Sequence, residues 1–408
     1  MTKTKAVCPR LWIVSELYYP EQTSTGYFLT RIAEGLADDF DVQVVCGQPS
    51  YSERGVRAVR RETRNGTTIH RLASTHFDKD RLLLRLINAV SLTIAAFFFA
   101  LRHFRKGDRV LVVTNPPTMP AVIGLAARLK RTRAALLVHD VYPELLAATG
   151  LIGRTSLIYR LLARMFRLTY RLFGDVIVLG ADMAEIVESK LGAGHASRIT
   201  IIPNWGDIDE VVPIDRNAND FRQAHGMGDR FVVQFSGNIG RTHDVELLLE
   251  AARLIEDRVD IVFLFVGYGG KAAMLTEPAA ARPNVCFLPR QPRERLGAML
   301  AASDVTVIPF VDGMYGISVP SRMYNVMAAG VPIIAAADAS SELAQTIDRL
   351  GAGWVLSPRT PNALATMVRA LAEPEGMREI ARRGAAGRAG VERFYALDAI
   401  LAQYRNLL

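Results

Sequence analysis

Arg322 opens the segment SVPSRMYNVMAAGVPIIA (residues 318–335), which otherwise has the spacing of a packing helix followed by a β-branched strand. Pro320 sets a turn, and Ser321 has the side chain of a helix N-cap. A cation in the first helical turn opposes the macrodipole, at about 0.3–1 kcal/mol on an exposed helix. That placement makes sense where an anion is shared between the guanidinium and the helix amides. Three other stretches carry groups of comparable use. FSGNIGRTHD (235–244) sets Gly237, Asn238 and Gly240 in a tight turn, with Arg241 ahead of a helix start near Asp244. Backbone amides beside a guanidinium suit a diphosphate. HDVYPELLAATG (139–150) gathers His139, Asp140 and Glu144 directly after an apolar run, more titratable groups than a turn needs. ELYYPEQTSTGYFLT (16–30) offers Ser24 or Thr25 as cap for a helix beginning near Tyr27, and Gly26 would let a phosphate approach that helix start. Each stretch also has an ordinary reading as a capped turn or a solvated arginine.

These stretches gain weight from what precedes them. β-rich runs at 10–15, 41–47, 109–114, 135–139 and 175–180 alternate with helical patterns at 27–37, 86–106 and 119–130. After a Pro- and Asp-punctuated connection near 205–220 the pattern restarts, with strands expected at 230–237, 260–267, 284–289, 304–310 and 331–336. This is the βαβ signature of a parallel sheet, given twice. A chain of 408 residues is also too long for one ordinary core. The expected fold is α/β, two Rossmann-like doubly wound domains, 1–205 and 206–385, with 386–408 as a final helix packing locally or returning to the first domain. Such sheets bind ligands beyond the carboxyl ends of their strands, where His139, Gly237 and the loop before Arg322 lie.

Charge separates the halves. Residues 1–205 hold 28 Lys and Arg against 17 Asp and Glu, and the remainder 21 against 24, so the net +8 comes from the N-terminal half. An anionic partner is expected there. No zinc-finger, helix-turn-helix or RNA-binding aromatic pattern supports nucleic acid. Three scattered cysteines, Cys8, Cys46 and Cys286, have neither disulfide nor metal-ligand spacing, which fits a reducing compartment. MTKTKAV reads as a polar lead into the first strand, without a cleavable signal. Residues 86–101, LINAVSLTIAAFFFAL, are apolar all round but span roughly 24 Å as a helix, short of the ~20 residues a bilayer needs. They suit either a buried crossover helix or partial insertion. In GRTSLIYRLLARMFRLTYRLFGD (153–175), Arg160, Arg164, Arg167 and Arg171 fall within about a 60° arc on a helix otherwise rich in Leu, Phe and Tyr. That composition suits the surface of an anionic membrane.

The series GNIGR, VGYGG, FLPR, SDVTVIPF, VPSRMYNVMAAGVPIIA and SSELA resembles family 4 of the retaining glycosyltransferases, which have the GT-B fold. HDVYPE and VPSRMYNVMAAG are similar to the subgroup from bacterial O-antigen, capsule and exopolysaccharide clusters. The resemblance spans essentially the whole chain. It implies two Rossmann-like domains facing a cleft, with a nucleotide-diphosphate sugar, UDP-linked, as co-substrate on the C-terminal domain. It further implies a polyprenyl-diphosphate-linked glycan acceptor, no cofactor or bound metal, and a peripheral location on the inner face of the plasma membrane. By the same resemblance Gly26, Gly237, Asn238, Arg241, Ser321 and Arg322 line the donor phosphates. His139 and Asp140, with Glu144 beside them, sit near the transferred sugar. The chain departs from the family in two places. Ile317 and Asn325 occupy the positions of two customary glutamates, leaving Asn325, Asp312, Tyr315, Gly316 and Ser318 for sugar contacts. Thr242-His243 stands where a lysine is usual. A nucleotide-sugar epimerase of the same fold, or a non-catalytic sugar-nucleotide or lipid-binding scaffold, are the alternatives. Turnover of a sugar nucleotide without acceptor would mark the first.

Overall fold

A computed structural model describes residues 8–49, 57–78, 81–192 and 194–408. The polar lead MTKTKAV lies outside the described residues. The chain forms two compact units. The first comprises Met1–Ala147, Ile152–Pro203 and Leu401–Leu408, and the second Ala148–Leu151 and Asn204–Ile400.

Among the described residues the first unit has strands β1 (Arg10–Val14), β2 (Asp41–Cys46), β3 (Arg61–Arg64), β4 (Thr67–Arg71), β5 (Arg109–Val113), β6 (Arg133–Val138), β7 (Asp175–Val178) and β8 (Ile199–Ile201). They lie side by side in the order β3-β4-β2-β1-β5-β6-β7-β8. Val110–Val113 and Leu136–Val138 are buried on both faces, which is why these strands read as unbroken apolar runs. In register, Val14 faces Val112 and Val113 faces Leu137, so β1, β5 and β6 end together and the residues after them share one sheet edge. One edge of the sheet departs from the all-parallel expectation. β3 pairs antiparallel with β4 through Asn65 and Gly66, whose φ values of 43° and 78° build a two-residue hairpin turn.

Helices α1 (Ser24–Gly35), α2 (Leu82–His103), α3 (Met119–Lys130), α4 (Glu144–Ala148), α5 (Leu157–Tyr170) and α6 (Ala181–Leu191) complete this unit. The polar interruptions of α2 all find partners. Asn88 exchanges bonds of 2.9 and 3.0 Å with the backbone of Phe77, Ser91 accepts from the Thr75 amide, and Thr93 lies 2.7 Å from Thr118. The other side of α2 is uncovered: Leu83 (75% exposed), Leu86, Ile87, Val90, Ile94 and Phe98 face outward at helical spacing. The segment is therefore a crossover helix packed on one side only, with Leu92, Ala96 and Ala100 buried, and not a helix buried all round. Within the described residues it is the one helix long and apolar enough to cross a membrane by length and composition.

The second unit has strands β9 (Phe231–Asn238), β10 (Ile261–Tyr268), β11 (Val285–Pro289), β12 (Val305–Pro309), β13 (Ile333–Ala336) and β14 (Gly353–Val355), parallel in the order β11-β10-β9-β12-β13-β14. The boundary expected between 385 and 386, in the Gly/Ala-rich stretch, falls inside a helix. Pro374–Phe394 is one continuous helix through it. Interior glycines cost a helix up to about 1 kcal/mol each. Here they allow close approach: a Cβ on Gly384 would lie 2.1 Å from the backbone carbonyl oxygen of Gly330, and one on Gly390 2.8 Å from the Leu350 side chain. The last helix, Leu397–Leu407, is separate, and its C-terminal part belongs to the first unit. There Leu401 fills the space a side chain at Gly35 would take, and Arg405 donates to Asp39 (2.7 Å) and to the Gly35 carbonyl (2.9 Å).

Candidate functional site

In the second unit the chemistry gathers where β9 and β10 end. Gly237 pairs in register with Gly267, both at positive φ (127° and 156°). The turn after β9 is held by the Ile239 amide donating to the Tyr268 carbonyl (2.7 Å) and the Lys271 amide donating to the Ile239 carbonyl (2.9 Å). The space a Gly237 side chain would fill is taken by the guanidinium of Arg322, whose Cζ would lie 2.9 Å from such a Cβ. The same guanidinium stacks 4.8 Å from the Phe235 ring centroid and approaches His243 Nε2 to 3.2 Å through Nη2. Its Nη1 is shielded from solvent and, among the described residues, has no hydrogen-bond partner. Burial pushes Arg322 down to about 10, so it stays cationic at neutral pH. A desolvated cation without a counter-charge is strongly disfavoured. This one sits on a glycine turn at the carboxyl edge of a parallel sheet, where an anion would satisfy it.

The neighbours differ from expectation in informative ways. Ser321 does not cap the helix Arg322–Ala328, since its own backbone is helical and its side chain makes no cap bond. Asn238 and Arg241 are exposed on the turn. Asn325, expected to meet a ribose or sugar hydroxyl, accepts from the Asp207 amide (2.8 Å) and donates to the Asp207 carboxylate (3.2 Å), which Arg293 also holds (2.6 Å). Its amide thus secures the loop that enters this unit. Asp312 is ion-paired with Arg359. Tyr315 and Ser318 are half-buried, while Ile317 belongs to the core and Gly316 is buried at φ 64°.

In the first unit His139 and Asp140 follow β6. Both backbone amides donate to Thr114 Oγ1, at 3.1 and 3.3 Å, so the hydroxyl ending β5 fixes the start of this loop. His139 Nδ1 lies 3.4 Å from Thr25 Oγ1 in α1, and Nε2 is buried without a hydrogen-bond partner among the described residues. Burial pushes His139 down to about 4, so it is a neutral imidazole at physiological pH. The cap of α1 is Thr23, not Ser24 or Thr25: its Oγ1 accepts from the Gly26 amide at 3.3 Å. Gly26 is glycine for packing, because a Cβ would lie 2.8 Å from the Glu21 carbonyl oxygen. Neither that amide nor that space is left open to a phosphate.

Glu144 is likewise committed. Both carboxylate oxygens take Lys190 Nζ, at 2.6 and 2.7 Å, and Tyr159 donates to Oε1 at 3.3 Å. Both charged side chains are largely buried. Glu144 is therefore an anchor for the 139–144 loop and not a poised acid or base. Removing one partner of such a pair strands the other charge, so Lys190→Met is expected to lower stability by about 3 kcal/mol in urea unfolding. Adding Glu144→Gln should recover part of that loss. The loop is also tied to α5, where the Tyr142 ring stacks on Phe166 at 5.7 Å.

The α5 helix is capped by Ser156, whose Oγ accepts from the Tyr159 amide at 3.1 Å. It exposes Arg160, Arg164 and Arg167, with Arg171 just beyond its end, alongside Leu157 (79% exposed), Ile158, Leu161 and Leu168. Arg154, Arg160, Arg164 and Arg167 line a shallow groove of about 540 Å³ with Leu157 and Leu161. Among the described residues no group of three or more His, Cys, Asp and Glu is gathered as metal ligands would be.

Residues 25–205 match the glycosyl transferase 4-like domain, and residues 217–388 match the glycosyl transferases group 1 family. The probable glycosyltransferase WbjE of Pseudomonas aeruginosa is 30% identical over 89% of this chain and 90% of its own. The chain is a group 1 glycosyltransferase. A putative colanic acid biosynthesis glycosyl transferase, WcaI of Escherichia coli, is 27% identical over 86% of this chain and 89% of its own. Among solved structures, Anabaena Alr3699/HepE in complex with UDP-glucose superposes with a TM-score of 0.69 at 15% identity, over 98% of this chain and all of that one. WaaG, a glycosyltransferase involved in lipopolysaccharide biosynthesis, superposes with a TM-score of 0.68 at 15% identity, over 97% and 99% of the two chains. The fold of this glycosyltransferase is thus GT-B. Of its two departures from the family pattern, Ile317 joins the core, and His243 becomes a partner of Arg322.

Proposed function

We propose that this glycosyltransferase moves a hexose from a nucleotide-diphosphate sugar, UDP-linked, with retention and without a bound metal, onto a polyprenyl-diphosphate-linked glycan in cell-surface polysaccharide biosynthesis. The observation that carries the reading is Arg322, a half-buried arginine lying on the Gly237 turn, whose shielded Nη1 has no hydrogen-bond partner among the described residues. The donor diphosphate fits that place, and fixed donors in a water-poor site favour the negative charge that develops as it departs. With the diphosphate held there, one of its oxygens takes the acceptor proton on the same face as the bond being broken. Neutral His139, at the end of β6, is suited to hold a sugar hydroxyl. UDP-glucose in the structural neighbour Alr3699/HepE, colanic acid biosynthesis in the name of WcaI and lipopolysaccharide biosynthesis in that of WaaG point the same way.

The acceptor reading rests on the uncovered apolar stripe of α2 and the arginines and leucines of α5. Apolar side chains beside basic ones fit the surface of an anionic bilayer, and we place the enzyme peripherally on the inner face of the plasma membrane. The test is a panel of sugar nucleotides incubated with the enzyme and membrane extract, followed by mass analysis of the lipid fraction. One hexose added to a polyprenyl-linked species supports the reading. Conversion of a sugar nucleotide without acceptor would replace it with an epimerase. Reversing Arg160, Arg164 and Arg167 to glutamate is expected to abolish co-sedimentation with phosphatidylglycerol vesicles, and unchanged binding would remove the membrane from the account.

A further inference from the structure

We propose that His243 is a positioning residue that aims Arg322 without neutralising it. The inference rests on the reading that Arg322 meets the donor diphosphate. His243 is 6% exposed, with its ring stacked on Phe310 at 5.5 Å and set edge-on to Phe235. Its backbone bridges to Phe310, and its carbonyl accepts from Lys271 Nζ at 3.1 Å. The imidazole therefore has little freedom to turn.

Chemistry then fixes its tautomer. A guanidinium only donates, so the Nε2 that lies 3.2 Å from Arg322 Nη2 must accept. The ring proton is left on Nδ1, which donates to Thr242 Oγ1 at 3.1 Å. Thr242 orients His243, and His243 orients Arg322. Burial, together with the charges of Arg322 and Lys271, keeps the ring neutral. Lys271 itself is paired with Glu246 at 2.9 Å.

A carboxylate at this place would hold Arg322 as firmly but would also cancel its charge. A lysine would supply a second cation and hold nothing. A neutral imidazole does a third thing: it occupies Nη2, leaves Nη1 as the donor still to be satisfied, and leaves the full positive charge for an anion. The planar fork lies against the glycine turn with one arm already spoken for.

The test uses the full-length enzyme, with UDP as the probe in calorimetry and with donor KM and kcat from steady-state transfer. His243→Phe keeps a ring between Phe235 and Phe310 and removes the acceptor. We expect UDP binding to weaken about tenfold, the size of losing a hydrogen bond to a charged group. Donor KM should rise by the same factor, and His243→Gln, which returns an acceptor oxygen, should recover most of it. Combined with Arg322→Ala, His243→Phe should cost nothing further, because its effect passes through that arginine. Wild-type UDP affinity in His243→Phe, alongside lost affinity in Arg322→Ala, would overturn the inference and leave the Arg322 reading standing. Wild-type affinity in Arg322→Ala would overturn that reading instead. Should His243→Phe not fold, the near-isosteric Gln and Glu variants decide: Glu is expected to bind UDP at least tenfold more weakly than Gln, and equal affinities would sink the proposal.

Discussion

Arg322→Ala is expected to lower turnover by a hundredfold or more while the protein remains folded. Deleting one fixed donor to developing negative charge costs about 10²–10³ in rate, and this donor carries a full charge as well. Folding should not suffer in proportion. Among the described residues Arg322 has no carboxylate partner, so its removal leaves the lone pair of His243 and the face of Phe235 uncovered but also relieves an unpaired desolvated cation. A thermal melt should therefore lie within a few degrees of wild type. Steady-state transfer measured with the melt separates the two effects, and a wild-type rate would remove the diphosphate from this site.

Gly267→Ala is expected to have the larger effect on the fold. Its φ of 156° is disfavoured for any residue with a side chain, and an added Cβ would lie 1.9 Å from the Gly237 carbonyl oxygen and 3.0 Å from its carbonyl carbon. Both contacts are backbone, on the neighbouring strand, so no rotamer change relieves them. β9 and β10 would have to part where they hold the glycine turn. Few single substitutions cost more than about 4 kcal/mol, and this one has the geometry to reach that. We expect the variant to be largely insoluble, or to unfold at far lower urea, with UDP binding lost in whatever survives. Gly270→Ala, three residues on, is the control: nothing lies within 4 Å of its Cβ, and its stability should match wild type within about 0.5 kcal/mol.

The central strands were readable in the sequence because they are buried on both faces, and an unbroken apolar run ending in Gly, His or Pro leaves little choice. The segment 119–130 matched its helix to the residue. The Asn65-Gly66 hairpin carried a local signal that the apolar-run reading passed over. The expected start of the final helix at 386 falls inside Pro374–Phe394, because local propensity does not show that the glycines there serve close approach to Gly330 and Leu350. The site follows the same division. Arg322 was conspicuous because it opposes the dipole of its own helix. Glu144 looked catalytic because Lys190 stands 46 positions away, and Asn325 looked open because Asp207 stands 118 positions away. His243 was noticed only as a missing lysine. Its role became visible once folding set it against an arginine 79 residues further along.

The return of Leu401–Leu408 to the first unit has a bearing on how the protein is made. Chains usually mature from the N-terminus as they leave the ribosome. Here the eight-stranded sheet is translated long before Leu401, yet the seat beside Gly35 stays vacant until the whole second unit has emerged. The sheet of the first unit can form early, but the packing around Gly35 is completed only after the second unit has been made. A cut between Pro203 and Asn204 would therefore release a fragment with an open apolar seat and Asp39 lacking Arg405. Leu401 and Arg405 thus act as a clasp on the first unit that closes only after the second unit has been translated.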